Sequence, residues 1–153
     1  MRIVGIDPGV SGALAFIVDG AYSAHTFMPT VKLGKSSRVN ASSLAGFIEG
    51  VDPDLVAIER VNAMPGQGVS SMFSFGHAAG VLEGVVATLG LPCELVTPQA
   101  WKRHFGLIGS EKDAARAKAV QLFPGAPLSR KKDGAIADAL LIAEYVAQRR
   151  AAA

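Results

Sequence analysis

The stretch that decides the fold of this chain is RIVGIDPG, residues 2–9. Its first five residues have the apolar, partly β-branched character of a strand, and Pro8 with Gly9 then turns the backbone. Residues 11–18, SGALAFIV, predict the returning strand of a hairpin. Asp7 therefore stands at a strand end, where its carboxylate can either hold a metal ion or begin a turn. The choice depends on whether other acids reach the same place.

The composition indicates a globular protein. With 153 residues, 50% of them hydrophobic and 18% charged, the chain is predicted to form a single domain, residues 1–153, with its own core. No apolar run is long enough for a membrane span, and the first residues lack the pattern of a secretory signal, so we expect a cytoplasmic protein without a membrane partner. Cys93 is the single cysteine, which excludes an internal disulfide and a multi-cysteine zinc site.

The charge is distributed unevenly along the chain. Residues 1–97 contain 5 Lys and Arg against 8 Asp and Glu, whereas residues 98–153 contain 10 against 5. Any one basic group can be ordinary solvated surface, but together they favour a polyanionic partner. The candidates for phosphate contacts in this second part are Lys102, Arg103, Lys112, Arg116, Lys118, Arg130, Lys131 and Lys132.

Hydrophobic periodicity and turn residues predict the order of the elements. Three strands at residues 2–7, 12–18 and 21–28 precede a polar, basic segment, residues 29–40, which we interpret as a plain loop or as a flexible arm that touches a phosphate backbone. Helices are expected at residues 41–51, 69–89, 97–101, 110–123 and 134–148, with a frayed tail at 149–153, and strands at residues 54–59 and 93–96. This α/β order predicts a mixed five-stranded sheet with helices on both faces.

The predicted helix at residues 69–89 carries a repeated glycine. Gly76, Gly80 and Gly84 recur every four residues, and each costs about 1 kcal/mol relative to Ala. The stripe indicates close approach of another element, which is either the sheet of the same domain or a partner subunit. The apolar positions of this helix fall three and four apart, as on one face, at Met72, Phe75, Ala79, Leu82, Val86 and Leu89.

Glu59 is the second acid that we expect near Asp7. It ends an apolar strand, and if that strand runs parallel to the first, the two carboxylates lie side by side at the edge where ligands of open α/β sheets gather. The alternative is an ion pair between Glu59 and Arg60, although neighbouring residues of a strand point to opposite faces.

Asp138 is the third acid. It interrupts an apolar stretch, AIADALLIA, residues 135–143, where a buried carboxylate needs a partner or a metal. The role of Asp133 is open, because it can be a fourth ligand, if it lies at or before the N-cap, or a helix cap. Oxygen ligands without Cys or His suit Mg²⁺ or Mn²⁺, and two such ions can promote phosphodiester hydrolysis.

Five motifs of the chain resemble those of RuvC-type Holliday junction resolvases, of the compact kind found in phages and prophages. They are GIDPGVSGA (residues 5–13), AIER (57–60), GHAAGVL (76–82), TPQAWK (97–102) and ADALLIA (137–143), in family order over nearly the whole length. The resemblance implies a ribonuclease H-like fold and a homodimer with two active sites. Each site would nick one of two opposed strands of a four-way DNA junction with two Mg²⁺ ions, replaceable by Mn²⁺, and without a small-molecule cofactor.

The resemblance also implies roles for individual residues. It assigns metal binding to Asp7, Glu59 and Asp138. Lys102 and Lys112 match family positions that contact or stabilise phosphate near the cut, which makes Lys112 a candidate catalytic residue. The glycine-striped helix corresponds to the dimerisation helix of the family, with these candidate interface residues: Met72, Gly76 and Gly80.

The chain departs from the family pattern at two positions. The fourth ligand usually lies three residues before the last Asp, where this chain has Ala135, so Asp133 is the nearby substitute. The aromatic residue that inserts at the junction centre is replaced by Asn62, which leaves this role to Met64, Phe73 or Phe75, or to none. Two alternatives therefore stay open: a nuclease for other branched DNA, such as forks and flaps, and a catalytically weak junction-binding module.

Overall fold

A computed structural model of the chain describes residues 1–111 and 113–153, so the predictions for Lys112 lie outside the described residues. The strands are β1 (Arg2–Asp7), β2 (Ala13–Val18), β3 (Ala21–Phe27), β4 (Thr30–Leu33), β5 (Ser36–Val39), β6 (Leu55–Glu59) and β7 (Cys93–Val96). The helices are α1 (Ala41–Val51), α2 (Val69–Thr88), α3 (Pro98–His104), α4 (Ala114–Leu122) and α5 (Gly134–Ala151), and a 3₁₀ turn, Lys131–Asp133, leads into α5. No helix in the described ranges is both long and apolar enough to cross a membrane.

The main sheet has five strands in the order β3-β2-β1-β6-β7. The first three form an antiparallel meander, and β6 and β7 run parallel to β1. The turn between β2 and β3 has positive φ angles at Asp19 (49°) and Gly20 (78°), as a tight two-residue hairpin turn requires. The predicted mixed five-stranded sheet is confirmed.

Helices cover the sheet on both sides, as predicted. Because successive residues of a strand point to opposite faces, Ile3 of β1 contributes to one core and Val4 to the other. The first core lies under α3, α4 and α5 and contains Trp101, whereas the second lies under α1 and α2. With both faces buried, β1 and β6 are nearly continuous apolar runs.

Gly5 is what allows α5 to lie directly on β1. A Cβ atom at this position would overlap the carbonyl oxygen of Ala139 and would lie 2.9 Å from the Cβ of Ala143. The close approach holds the first turns of α5 against the end of β1 that carries Asp7. A side chain at position 5 would therefore push away the helix that brings Asp138 to the sheet.

The prediction of a loop at residues 29–40 was wrong. This segment is a two-stranded antiparallel hairpin, β4 and β5, outside the main sheet, with Gly34 at φ +62° in its turn. Periodicity did not identify it because all residues of β4 are exposed, so neither face of the strand has an apolar pattern. The hairpin is fixed instead at its end, where Val39 of β5 is buried in the core under α1 and α2.

Three helix boundaries also differ from the prediction. Helix α3 continues past residue 101 and ends at His104. Helix α4 begins at Ala114 rather than at residue 110, and the carboxylate of Asp113 binds Arg116 at 2.6 and 2.8 Å instead of capping the helix. The tail predicted to be frayed is helical to Ala151, because Arg149 and Arg150 both bind the carboxylate of Glu94 on β7.

Candidate active site

Two acids lie side by side at one edge of the sheet. Strand β6 pairs with β1 in parallel, with Ile6 opposite Ile58, so Asp7 and Glu59 are the next residues at the carboxyl ends of the two strands. The predicted parallel arrangement is confirmed. The alternative ion pair with Arg60 does not occur among the described residues, since Glu59 bonds to Trp101 instead.

Asp138 reaches this edge of the sheet from helix α5, which packs on one face of the sheet. It lies in the second turn of α5 between the fully buried Ala137 and Ala139, over the Gly5 contact, and is itself half-buried. The three carboxylates of Asp7, Glu59 and Asp138, called the acid cluster below, therefore come from two strands and one helix that the core holds in place.

Burial raises the pKa of all three acids in this cluster, and neighbouring carboxylates add to the shift of Asp7 and Asp138. Burial and the charges of Asp138 and Glu59 raise the pKa of Asp7 from 3.8 to about 8. Burial and the charge of Glu59 raise the pKa of Asp138 from 3.8 to about 6, and burial also raises the pKa of Glu59. In each case Lys102 acts in the opposite direction, so its ammonium group lies near all three acids. Acids in such surroundings are typical of functional sites.

Trp101 orients the carboxylate of Glu59. The indole is fully buried, and its Nε1 donates a hydrogen bond of 2.8 Å to Oε1 of Glu59. The ammonium group of Lys102 lies 5.3 Å from the centroid of the same ring, within reach of a cation–π interaction. This role of Trp101 was not predicted from the sequence. The signal for it is that a buried indole N–H needs an acceptor, which indicates a polar group nearby.

The chemistry of the acid cluster fits a hard divalent cation. Its donors are carboxylate oxygens only, and a cation would relieve the repulsion that, after burial, raises the pKa values of Asp7 and Asp138. Within the described residues, however, no three Asp, Glu, His or Cys side chains are drawn together tightly enough to enclose an ion. The cluster is therefore an open set of donors in which Glu59 is held by Trp101.

Asp133 has a different environment from the acid cluster. It is fully buried, and its carboxylate accepts hydrogen bonds from the backbone N–H of Arg130 at 2.8 Å and from the guanidinium group of Arg130 at 2.8–3.2 Å. These bonds close the 3₁₀ turn before α5, and the side chain does not cap α5 itself. The arginine lowers the pKa of Asp133.

An open cleft of about 490 Å³ leads away from Asp7 and Glu59. Its walls include Arg60, Asn62, Gln67, Phe75 and Pro98. Phe75 packs over Gly9, whose φ of +102° and missing Cβ let the ring approach the turn after β1. The three candidates for insertion into DNA are all exposed at 41–67%, namely Met64, Phe73 and Phe75.

The basic residues that were predicted to contact phosphates fall into two groups. Arg116 and Arg130 have internal partners, since Arg116 binds Asp113 and the carbonyl oxygen of Leu128 while Arg130 binds Asp133. Lys102 faces the acid cluster. The others are exposed or half-buried without an ion pair among the described residues: Arg103, Lys118, Lys131 and Lys132.

The glycine stripe of α2 faces away from the sheet. The residues that α2 buries are Ala78, Leu82 and Val86, whereas a Cβ atom on Gly76, Gly80 or Gly84 would meet no described atom within 4 Å. The sheet of the same domain is therefore not the element that the stripe approaches. The predicted inward face was wrong in its first half, since Phe75 is exposed, Met72 is half-buried and the buried positions begin at Ala78.

The chain is similar in sequence to known junction-cleaving enzymes. A crossover junction endodeoxyribonuclease RuvC of Nocardioides sp. (strain ATCC BAA-499 / JS614) is 33% identical over 111 residues, which are 67% of this chain and 62% of that protein. The chloroplastic Holliday junction resolvase MOC1 of Chlamydomonas reinhardtii is 41% identical over 96 residues, which are 58% of this chain and 10% of that protein. No family model matches the chain. It spans 49–62% of the length of five bacterial RuvC proteins that it matches.

A solved structure matches the whole fold. The T. thermophilus RuvC in complex with Holliday junction substrate superposes with a TM-score of 0.73 at 18% identity, covering 99% of this chain and 96% of that one. The likeness confirms the predicted ribonuclease H-like fold.

Proposed function

We propose that this chain, a RuvC-type protein in sequence and fold, is a DNA endonuclease that resolves four-way junctions by paired, symmetric nicks. The observation that supports this most strongly is the acid cluster at the carboxyl ends of β1 and β6, where burial and mutual repulsion raise the pKa values of Asp7 and Asp138 beside Lys102. Carboxylates with an adjacent lysine in an open cleft suit the cleavage of a phosphodiester.

Asp7, Glu59 and Asp138 are the residues that would hold divalent metal, two Mg²⁺ ions per site with Mn²⁺ as a substitute. Bound there, the metal would supply charge neutralisation at the scissile phosphate and a more acidic water. Trp101 holds Glu59 in one orientation through its hydrogen bond, which reduces the reorganisation needed on binding. Lys102 is placed to offset negative charge at the cut strand.

The proposed DNA partner is a four-way junction, bound by a homodimer. The exposed glycine face of α2 is the proposed dimer contact, because it is open to close approach, with Met72, Gly76 and Gly80 at the interface. The proposed DNA contacts are Lys102, Arg103, Lys118, Lys131 and Lys132, together with Lys112, Arg116 and Arg130. The closer relation to compact phage and prophage members stays a prediction.

A catalytically weak junction-binding module is the second candidate, and one observation favours it. The chain has Ala135 where a fourth acid is usual, and the nearby Asp133 is bound by Arg130. With three acids instead of four, the second metal would have fewer protein ligands, which lowers its affinity.

One assay separates these functions. The protein is incubated with Mg²⁺ and labelled four-way junction, fork or linear duplex, beside an Asp7→Asn variant. We expect symmetric nicks in the junction that the variant does not make. Junction binding without cleavage would favour the binding module, more cleavage of forks than of junctions would favour the broader nuclease, and equal cleavage of linear duplex would reject selectivity for structure.

A further inference from the structure

We propose that the β4–β5 hairpin and the first turns of α2 form a binding site for a phosphate of the DNA backbone, next to the acid cluster. The inference rests on the proposed function and extends it to the path of the bound strand. Residues 29–40 were interpreted above as either a plain loop or an arm that touches a phosphate backbone, and the proposal gives the hairpin a defined site for the second role.

The site is a cavity of about 200 Å³ between the hairpin and α2. Its wall is rich in groups that donate hydrogen bonds to phosphate oxygens, namely hydroxyls, a guanidinium group and an imidazole ring. These groups belong to Ser36, Ser37, Arg38, Ser70, Ser74 and His77.

Arg38 supplies a positive charge to the wall of the cavity. Its Nη1 lies 3.3 Å from Nε2 of His77, and because a guanidinium group only donates, the imidazole must accept this bond. In the part of the chain that the structure describes, Arg38 has no carboxylate partner. The charge of this half-buried guanidinium group is therefore not offset by a carboxylate among the described residues.

The sequence around the cavity is free of acids. No Asp or Glu occurs in residues 20–48, which include the hairpin, or in residues 60–82, which include the first part of α2. The hairpin adds the exposed Lys32 and Lys35 to Arg38. Residues 1–97 have a negative net charge as a whole, but these two segments contain only basic charges, because all the acids of this part lie outside them.

The cavity adjoins the active-site cleft, which favours DNA as its occupant. Val10 and Ser74 line both spaces, and Val10 follows the turn that begins at Asp7. A DNA strand that has one phosphate at the acid cluster can therefore place another of its phosphates in the cavity. At the mouth, the exposed ring of Phe73 lies 6.5 Å from the ring of His77 at an angle of 32°, which offers a surface for a base.

Junction binding by two matched variants tests the proposal. Arg38→Gln removes the charge in the cavity, and Lys35→Gln removes an exposed charge of the same hairpin that does not line it. Both are made in an Asp7→Asn background to prevent cleavage, and the Kd for labelled junction is measured over a series of salt concentrations. We expect Arg38→Gln to weaken binding about tenfold and to reduce the slope of log Kd against log salt by about 0.9, the value for one phosphate contact. Lys35→Gln should weaken binding less than about threefold.

A second pair of variants covers the case in which Arg38→Gln unfolds the hairpin. Ser70→Asp puts a carboxylate in the cavity wall, and Ser71→Asp puts the same charge on the next residue, which does not line the cavity. Both positions lie in the first turn of α2, where the helix dipole favours an acid, so both proteins should fold. We expect Ser70→Asp alone to weaken junction binding, about tenfold.

The outcomes separate this proposal from the proposed function. If the wild type cuts junctions and the paired variants bind alike, the phosphate site is wrong and the nuclease stands. If the wild type binds DNA through Arg38 and Ser70 but does not cut, the nuclease is wrong and the site stands. If the wild type binds no DNA, both are wrong. If Arg38→Gln abolishes binding of inorganic phosphate but leaves junction binding unchanged, the cavity takes free anions and the proposal is wrong.

Discussion

The start of α5 holds two aspartates, five residues apart, in opposite environments. Asp133 is fully buried, is bound by Arg130 through its backbone and its guanidinium group, and has a lowered pKa. Asp138 is half-buried beside two other acids and has a pKa raised to about 6. We propose that the carboxylate with its own arginine stabilises the fold, whereas the carboxylate beside like charges binds a metal ion. Each of the following predictions tests one side of this contrast.

The largest effect is expected from Asp7→Asn. The substitution removes the acid whose pKa is raised most in the cluster. Loss of a residue that only hydrogen-bonds to a metal ligand lowers metal affinity or activity 10–100-fold, so loss of Asp7 itself should lower the rate of junction cleavage more than about 100-fold. Thermal stability without metal should rise, because the amide needs no charge in a buried site. Cleavage rates and melting curves check the two effects. If the Asp7→Asn protein cleaves junctions at the rate of the wild type, Asp7 is not part of the active site.

A smaller loss is expected from Trp101→Phe. Phenylalanine keeps most of the buried ring but cannot donate to Glu59, so the cleavage rate should fall about 10–100-fold with little change in junction affinity. The matched control is Trp101→His, whose ring N–H can restore a donor and with it part of the rate. If the rate of Trp101→Phe equals that of the wild type, the hydrogen bond has no part in positioning Glu59.

Arg130→Gln should act on the fold rather than on the chemistry. It leaves the buried Asp133 without its cation, so the melting temperature should drop, while Mg²⁺ dependence of cleavage should stay that of the wild type. Lys131→Gln is the control, since Lys131 is an exposed neighbour without an ion pair in the described ranges. A change in Mg²⁺ dependence without loss of stability would place Asp133 in the metal site.

The smallest effect is on the pH dependence of stability. Because the folded protein holds the pKa of Asp133 below 3.8, the Arg130 pair stabilises the fold fully above that pH and less as the pH falls through the lower folded value. The unfolded state cancels in the comparison of wild type and Arg130→Gln, so their difference in melting temperature should be largest near neutral pH. It should shrink as acid protonates Asp133, first in the variant and then in the wild type. A difference that grows with acidity would show that another group is responsible.

Much of the fold was predictable from local sequence patterns. The meander β1–β3 follows from apolar runs and from Asp19 with Gly20, and the parallel pairing that sets Glu59 beside Asp7 follows from the order of strands and helices. The place of Asp138 in a polar cluster was predictable because a carboxylate buried in an apolar helix needs a partner or a metal ion. Each of these signals either lies within a short segment of the sequence or follows from the order of the strands and helices.

The missed features depend on contacts that local patterns do not contain. The bond between Trp101 and Glu59 joins residues 42 apart, and the exposed hairpin β4–β5 has no apolar face to identify it. For Asp133, three adjacent basic residues were equally possible partners in the sequence, and only the backbone of the 3₁₀ turn selects Arg130.

The central claim is that metal binds at Asp7, Glu59 and Asp138 and not at Asp133. Electron paramagnetic resonance of Mn²⁺ tests it directly, since the signal of the free ion falls as the ion binds to the protein. We predict that Asp138→Asn weakens Mn²⁺ binding more than about tenfold, whereas Arg130→Gln leaves it within about twofold of the wild type. Unchanged binding in Asp138→Asn, or equal loss in the two variants, would contradict this division of the two aspartates.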